Sequence, residues 1–181
     1  IQLVVWVGVQ EEVLEHVQSG AADIGCCLAN DPLPRLDSQV VRRERLVFIA
    51  SSAHPLARRR RVRPGDLAAE DFVAPAQSSM FGRSLSRLLA GIGIDGIRVA
   101  AQATEYGFLR GLVAAGVGIS CSLEKSVAED IRSGVLTRLD VDAPDLWMSV
   151  RVLRSPGRPV PPHVNAFTSF LFGRQAEAPA A

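Results

Sequence analysis

The chain has 181 residues, of which 48% are hydrophobic and 22% are charged, and its formal net charge is +1 at pH 7. This composition allows a sizeable buried core and excludes a disordered chain. A nearly neutral charge argues against a domain that itself grips DNA, because such domains usually carry a large basic excess. No apolar run in the sequence is long enough to span a bilayer.

Apolar, strand-like runs alternate with segments of helical periodicity along nearly the whole chain. This pattern predicts an α/β fold with mainly parallel strands. The predicted strands are residues 3–7, 23–28, 46–50, 72–73, 97–103, 117–121, 136–141 and 146–153. Helices are predicted from Gln10 to a C-terminal Gly20, at 64–68, after Ser79, from Thr104 to Gly116, over 125–133, and after the prolines at 159–162. The last helix carries Val164, Phe167, Phe170 and Leu171.

The three cysteines, Cys26, Cys27 and Cys121, form no Cys-x-x-Cys motif and cannot all pair. Adjacent cysteines on a strand point to opposite faces and do not bridge readily. We therefore predict that all three are buried, reduced and unligated. Together with the lack of a signal peptide in this sequence, they indicate a reducing, cytoplasmic setting.

Two short motifs resemble catalytic or nucleotide-binding signatures but lie in the wrong context. The segment 91–96, GIGIDG, follows a predicted helix and precedes a strand, whereas a dinucleotide fingerprint needs the reverse order. The segment 122–125, SLEK, has the SxxK pattern, but the supporting SDN and KTG motifs are absent. A helix-to-strand loop and an N-cap at Ser122 are the better interpretations.

No metal centre or catalytic group is predicted. His16, His54 and His163 lack the spacing of metal ligands and are expected at the surface. The arginines at 58–61 are balanced by nearby acidic residues and are typical of a solvated face. We therefore expect a protein that is not an enzyme and needs no cofactor.

Three predicted helices begin directly after strand ends, at Gln10, at Ser78-Ser79-Met80-Phe81 and at Thr104. In open α/β sheets, ligands bind outside the carboxyl ends of strands, where free backbone N–H groups favour anions. Each hydroxyl taken alone is better explained as a helix N-cap. Taken together, the three helix starts predict a binding cleft.

Four segments resemble, in order and spacing, the effector-binding domain of LysR-type bacterial transcriptional regulators. They are 8–15 (GVQEEVLE) with 20–25 (GAADIG), 54–57 (HPLA) with 66–68 (DLA), 112–119 (LVAAGVGI) and 133–136 (SGVL). Each motif is short, but the ordered set covers about residues 3–172.

The resemblance implies an α/β, two-lobed fold of the type 2 periplasmic-binding-protein class. Residues 1–48 plus 150–175 would form the first lobe and 49–149 the second, with a disordered tail at 176–181. The family's winged helix-turn-helix, its linker helix, and the first strand and helix of the first lobe would precede Ile1. This chain alone is then not expected to bind operator DNA.

The resemblance also implies a small-molecule effector held between the lobes, with an anion as one candidate class. The predicted contacts are Gln10, Leu28, Ser78, Ser79, Met80, Phe81 and Thr104. Several members of the family place Arg or Thr where Leu28 stands. Met80 and Phe81 make their wall more apolar than in members specific for anions.

The function predicted from the sequence is therefore effector sensing by a cytoplasmic transcriptional regulator, in which the ligand alters the conformation of a dimer or tetramer on DNA. The alternatives are a solute-binding protein of a transport system, which shares the fold, and an enzyme on that fold. In the family, subunits pair antiparallel. By that resemblance, residues 3–7 would form an edge strand that approaches residues 117–121 and helix 125–133 of a partner chain.

Overall fold

The computed structural model describes residues 2–77 and 79–173 as six α-helices, a short 3₁₀ turn and seven β-strands. The helices are α1 (Gln10–Ser19), α2 (Pro64–Ala68), α3 (Met80–Ala90), α4 (Tyr106–Ala114), α5 (Glu124–Arg132) and α6 (Pro162–Phe172). The strands are β1 (Gly25–Leu28), β2 (Asp37–Ser51), β3 (Asp71–Ala74), β4 (Arg98–Gln102), β5 (Ser120–Leu123), β6 (Leu136–Arg138) and β7 (Leu146–Arg154). None of the helices in these ranges is long and apolar enough to cross a membrane.

The chain divides into two compact units. The first contains Ile1–Arg43 and Met148–Ala181, and the second contains Glu44–Trp147. From the sequence, we expected the boundaries between the two lobes near residues 48 and 150. That these two units are the two lobes of the fold stays a prediction. Strands β2 and β7 each contribute residues to both units, so the division falls inside strands and leaves no loop signal in the sequence.

In the first unit, α1 packs closely on β1. Leu14 and Val17 form the buried face of the helix. Gly25 allows the close approach, because a Cβ added there would lie 2.8 Å from Cγ2 of Val17. The helix ends as predicted at Gly20, which adopts the left-handed conformation with φ of 78° that glycine tolerates best.

The buried Arg151 of β7 forms hydrogen bonds to neighbouring segments of the first unit. Strand β1 pairs antiparallel with β7, with Cys27 opposite Arg151. The guanidinium donates hydrogen bonds to the carbonyl oxygens of Ala29 (3.0 Å) and Asn30 (3.1 Å) and to Oγ of Ser38 (3.2 Å). These bonds satisfy a buried charged group that would otherwise be costly to bury.

The second unit contains an apolar cluster to which strands and helices both contribute. Its buried members are Val47, Ile49, Val73, Leu109, Val113, Val127 and Leu136. Strands β3 and β4 pair parallel, with Ala74 opposite Gln102, so their carboxyl ends lie side by side. Helices α3 and α4 each begin a few residues beyond those ends.

The pairing of strands is more varied than the predicted, mainly parallel sheets. Strand β3 pairs parallel with β4, whereas β1–β7, β2–β5 and β2–β6 are antiparallel. The sequence pattern missed most of β2, because residues 37–45 carry many polar side chains and only the apolar run 46–50 resembles a buried strand.

One predicted strand is wrong. Residues 3–7 form no strand, and their apolar side chains are exposed, with Val7 86% exposed. They have no strand partner among the described residues, and β propensity alone does not hold a strand. In α6, Val164 is buried, whereas Phe170 is 84% exposed and Leu171 46% exposed. The predicted tail at 176–181 lies outside the described residues.

Candidate functional site

A cavity of about 300 Å³ lies in the second unit, at the carboxyl ends of β3 and β4. Its walls are formed by Ala76, Gln102, Ala103, Thr104, Glu105 and Phe108. Ala76 follows β3, while the other residues end β4 or begin α4. This volume is at the lower end of the range for small-molecule sites, and the position is the one where α/β sheets bind ligands.

The wall at Ala76 is fixed by Ser79, the N-cap of α3. Its hydroxyl donates a hydrogen bond to the carbonyl oxygen of Ala76 (2.6 Å) and accepts one from the Gly82 N–H (3.0 Å). Gly82 is required for this approach, since a Cβ there would lie 2.1 Å from the same carbonyl oxygen. The loop before α3 is therefore held by a serine cap and a glycine.

The opposite wall carries a carboxylate. Glu105 is the N-cap of α4, and its two carboxylate oxygens accept hydrogen bonds from the N–H groups of Gly107 (2.8 Å) and Phe108 (2.6 Å). These backbone hydrogen bonds hold the pKa of the Glu105 carboxyl below its usual value, and the positive charge of Arg110 acts in the same direction. Glu105 is therefore negatively charged at neutral pH.

An exposed aromatic ring completes the cavity. Helix α4 buries Leu109 and Val113 in the core, but Phe108 is 64% exposed at the cavity wall. The phenyl ring adds apolar surface to a wall that also contains polar side chains, as small-molecule sites do. The cavity thus combines a fixed carboxylate, a hydroxyl from Thr104, an amide from Gln102 and an apolar ring.

The residues predicted as effector contacts in the second unit have different environments. Thr104 is part of the cavity wall, and Ser79 contacts the wall through Ala76. Met80 and Phe81 are half-buried in the first turn of α3 and do not form part of the wall. Ser78 lies outside the described residues. The assignment of these residues to an effector stays a prediction.

The two predicted contacts in the first unit lie on α1 and β1. The side-chain amide of Gln10 is 3.8 Å from Sγ of Cys27, at the limit for a hydrogen bond to sulfur. Leu28 packs against the apolar cluster of Val41, Val150 and Val152. The structural role of Leu28 is thus visible, while its contact with an effector stays a prediction.

Four wall residues were missed by the sequence analysis. Ala76, Gln102, Ala103 and Phe108 carry no motif and gain their position only from the ends of two parallel strands. Glu105 lay within the helix predicted from Thr104 to Gly116 and was not singled out as a contact. An acidic residue at an N-cap directly after a strand was the one signal that could have pointed to it.

The prediction that all three cysteines are buried is wrong for one of them. Cys27 and Cys121 are buried, but Cys26 is exposed, because Gly25 and Cys27 face the core and the alternation of β1 turns Cys26 away. All three are free thiols. Within residues 2–77 and 79–173, no group of three or more His, Cys, Asp and Glu residues could hold a metal ion.

The comparisons with known proteins agree with the fold. Residues 1–176 match the family model described as the LysR substrate binding domain. The chain therefore belongs to this family, the effector-binding domain of LysR-type regulators, and the predicted type 2 periplasmic-binding-protein-like α/β fold is confirmed.

Curated relatives are longer than this chain. Uncharacterised HTH-type transcriptional regulators of Mycobacterium bovis and Mycobacterium tuberculosis are 29% identical to it over 155 residues, which are 83% of this chain and 50% of each relative. The chain thus spans about half the length of these relatives.

Solved structures of regulatory domains share the fold. The effector-binding domain of QuiR in complex with shikimate has a TM-score of 0.78 at 19% identity, covering 91% of this chain and 77% of that one. The regulatory domain of CcmR from Synechocystis PCC6803, in complex with 2-PG, has a TM-score of 0.79 at 22% identity, with 95% and 82% covered.

Proposed function

We propose that this chain senses a small-molecule effector for a longer, DNA-binding transcriptional regulator of the LysR type. The family membership and the HTH-type relatives, which are about twice as long, support this proposal. DNA would be contacted by a helix-turn-helix domain outside this chain, as its own net charge of +1 suggests. A transport function has no comparable support, since the matched relatives are regulators.

The cavity in the second unit is the observation that carries the proposal. It has the volume and the mixed polar and apolar wall of a small-molecule site, and it lies at the ends of two parallel strands. Thr104 and Ser79 are the proposed polar contacts of this unit, and Ser78, Met80 and Phe81 are further proposed contacts. Gln10 and Leu28 are the proposed contacts from the first unit.

The sensing mechanism follows from the coupling between effector binding and a conformational equilibrium of the protein. An effector can change the conformation of a dimer or tetramer on DNA only if it binds one state more tightly than the other. The protein then needs no catalytic group, and we propose a sensor that is not an enzyme and acts in the cytoplasm, where its DNA target is. Homodimeric or homotetrameric assembly is proposed from the family, without the edge strand first expected at residues 3–7.

A metabolite screen by thermal unfolding tests the proposal. A ligand at 100 times its Kd stabilises the folded state by about 2.7 kcal/mol, which should raise the Tm of a domain of this size by roughly 5–10 °C. Compounds that stabilise the chain are then titrated by calorimetry against wild type and the variant Thr104→Trp, whose indole would fill the cavity.

The expected result is a loss of affinity of at least tenfold in Thr104→Trp. Ser133→Trp is the matched control, because Ser133 is an exposed residue at the end of α5 and is not part of the wall. A ligand that binds both variants as tightly as wild type would place the site elsewhere. A broad screen without any stabilising compound would contradict the sensing function.

A further inference from the structure

Glu105 places a negative charge in the cavity wall. Helix starts alone favour an anion, since their free N–H groups and the helix dipole attract negative charge. At α4, however, the N–H groups of Gly107 and Phe108 are already bound by the chain's own carboxylate, at 2.8 and 2.6 Å. An anion entering here would meet a carboxylate instead of free donors.

The nearby positive charge does not compensate for this carboxylate. Arg110 lies one turn further along α4, but its Nη1 is 2.6 Å from a carboxylate oxygen of Asp130. Its charge is therefore paired within the second unit. Among the described residues that line the cavity, Glu105 is the one charged residue, and none has a cationic side chain.

The carboxylate is also oriented for a ligand. Each of its oxygens accepts one backbone hydrogen bond and retains a second lone pair, so the group can still accept from a donor in the cavity. The two N–H groups hold it in place, which reduces the entropy lost on binding. The exposed ring of Phe108 lies in the same wall, and the face of a phenyl ring attracts cations.

We propose that the effector group bound in this cavity is a positively charged nitrogen, an ammonium or a guanidinium, held by the Glu105 carboxylate and the Phe108 ring. Thr104 and Gln102 supply oxygen acceptors beside them. The inference rests on the proposed sensing function, of which it names the ligand class.

Three probes with one carbon skeleton test the charge preference: n-butylammonium, n-butanol and n-butyrate. Each is titrated into the isotope-labelled chain while the backbone amide signals of Gly107 and Phe108 are followed by NMR. We expect n-butylammonium to shift these signals with a Kd at least tenfold lower than that of n-butyrate, with n-butanol between them.

Two variants and a control assign the effect to the named groups. Glu105→Gln keeps an oxygen acceptor for the helix cap but removes the charge, and it should abolish the tenfold preference. Phe108→Leu should weaken n-butylammonium binding by about two- to fivefold, the loss expected for one exposed cation–π contact. Glu129→Gln removes a carboxylate that is 70% exposed on α5 and should leave the preference unchanged.

The inference is overturned if n-butyrate binds as tightly as n-butylammonium, if Glu105→Gln keeps the preference, or if no probe shifts the two amides. These outcomes are separate from a failure of the sensing function, which is decided by the metabolite screen. A stabilising metabolite that carries only negative charge and shifts Gly107 and Phe108 would overturn the present inference and leave effector sensing intact.

Discussion

Lys125 and Glu44 form an ion pair in which one partner is exposed and the other is buried. Nζ of Lys125 lies 3.2 Å from Oε1 of Glu44, and the side chains are 71% and 6% exposed. The ammonium reaches from the first turn of α5 to a carboxylate on β2. A buried carboxylate depends on its partners, because burial removes much of the water that would otherwise solvate its charge.

Replacement of Lys125 should therefore destabilise the protein more than is usual for a side chain that is 71% exposed. We expect Lys125→Met to lower the free energy of unfolding by about 1–3 kcal/mol, since Glu44 loses a charged partner. Urea unfolding measures the change. Arg132→Met is the matched control, because its ion pair with Glu129 on the same helix is exposed on both sides and should contribute less than about 1 kcal/mol. Equal losses in both variants would contradict this account.

Two glycines in neighbouring helices should respond to alanine in opposite directions. Gly82→Ala would place a Cβ 2.1 Å from the Ala76 carbonyl oxygen and should destabilise the protein by roughly 1–3 kcal/mol. A Cβ added at Gly111, in the middle of α4, would meet no surrounding atom within 4 Å. Gly111→Ala should therefore stabilise the protein by about 0.5–1 kcal/mol. Thermal unfolding of both variants checks the signs. A Gly82→Ala protein as stable as wild type would mean that the Ala76 loop can move away.

Asp66 should stay ionised in unusually acidic solution. The side-chain hydrogen bond from Arg63, followed by that from its backbone N–H, lowers the pKa of this carboxyl to about 2. Because the pKa of the folded state lies below the unfolded value of about 3.9, the stabilisation is complete above about pH 4 and is lost as the pH falls towards 2.

An NMR titration of the side-chain carboxyl of Asp66 measures its pKa directly. Arg63→Gln should raise this pKa towards its ordinary value. Arg60→Gln removes a neighbouring arginine that does not contribute to the shift and should leave it unchanged. A wild-type pKa near 4 would refute the proposed role of Arg63.

The thiols should react in a fixed order. Cys26 is exposed, although partial burial of its sulfur raises the pKa, whereas burial raises the pKa of both Cys27 and Cys121 to about 12. An aromatic disulfide reagent at pH 8 should label Cys26 first, and Cys26→Ser should remove this phase. Labelling of Cys121 at the rate of the unfolded chain would contradict its burial.

Much of the fold could be predicted because its signals are local. Gly20 and Gly116 were expected to end helices, and both have positive φ values, 78° and 81°. The GIGIDG segment is a helix-to-strand connection, as its context indicated. Ser122 was expected to cap α5, but it lies in β5 and Leu123 takes the N-cap position. A shift of one residue is within the usual uncertainty of helix ends.

The cavity could be predicted only in part, because its wall is assembled from two strand ends. Thr104 was found from its position before a helix. Phe108 looks like a core residue in the sequence, since it is apolar and next to Leu109 on a helix. Its exposure depends on which face of α4 meets the core, and that is fixed by β2, β3 and α5 packing on the other side. Such information is not local.

The interrupted first unit has a consequence for synthesis of the chain. Residues 44–147 form the second unit without a break, whereas β1 pairs with residues 150–153 of β7. At a ribosomal rate of about 5–20 residues per second, β1 would wait roughly 6–25 s after its own translation for that partner. The second unit can therefore fold while the earlier-made β1 and α1 are still without β7. During this interval the apolar side of β1 would lie uncovered and accessible to a chaperone, until β7 emerged and paired with it.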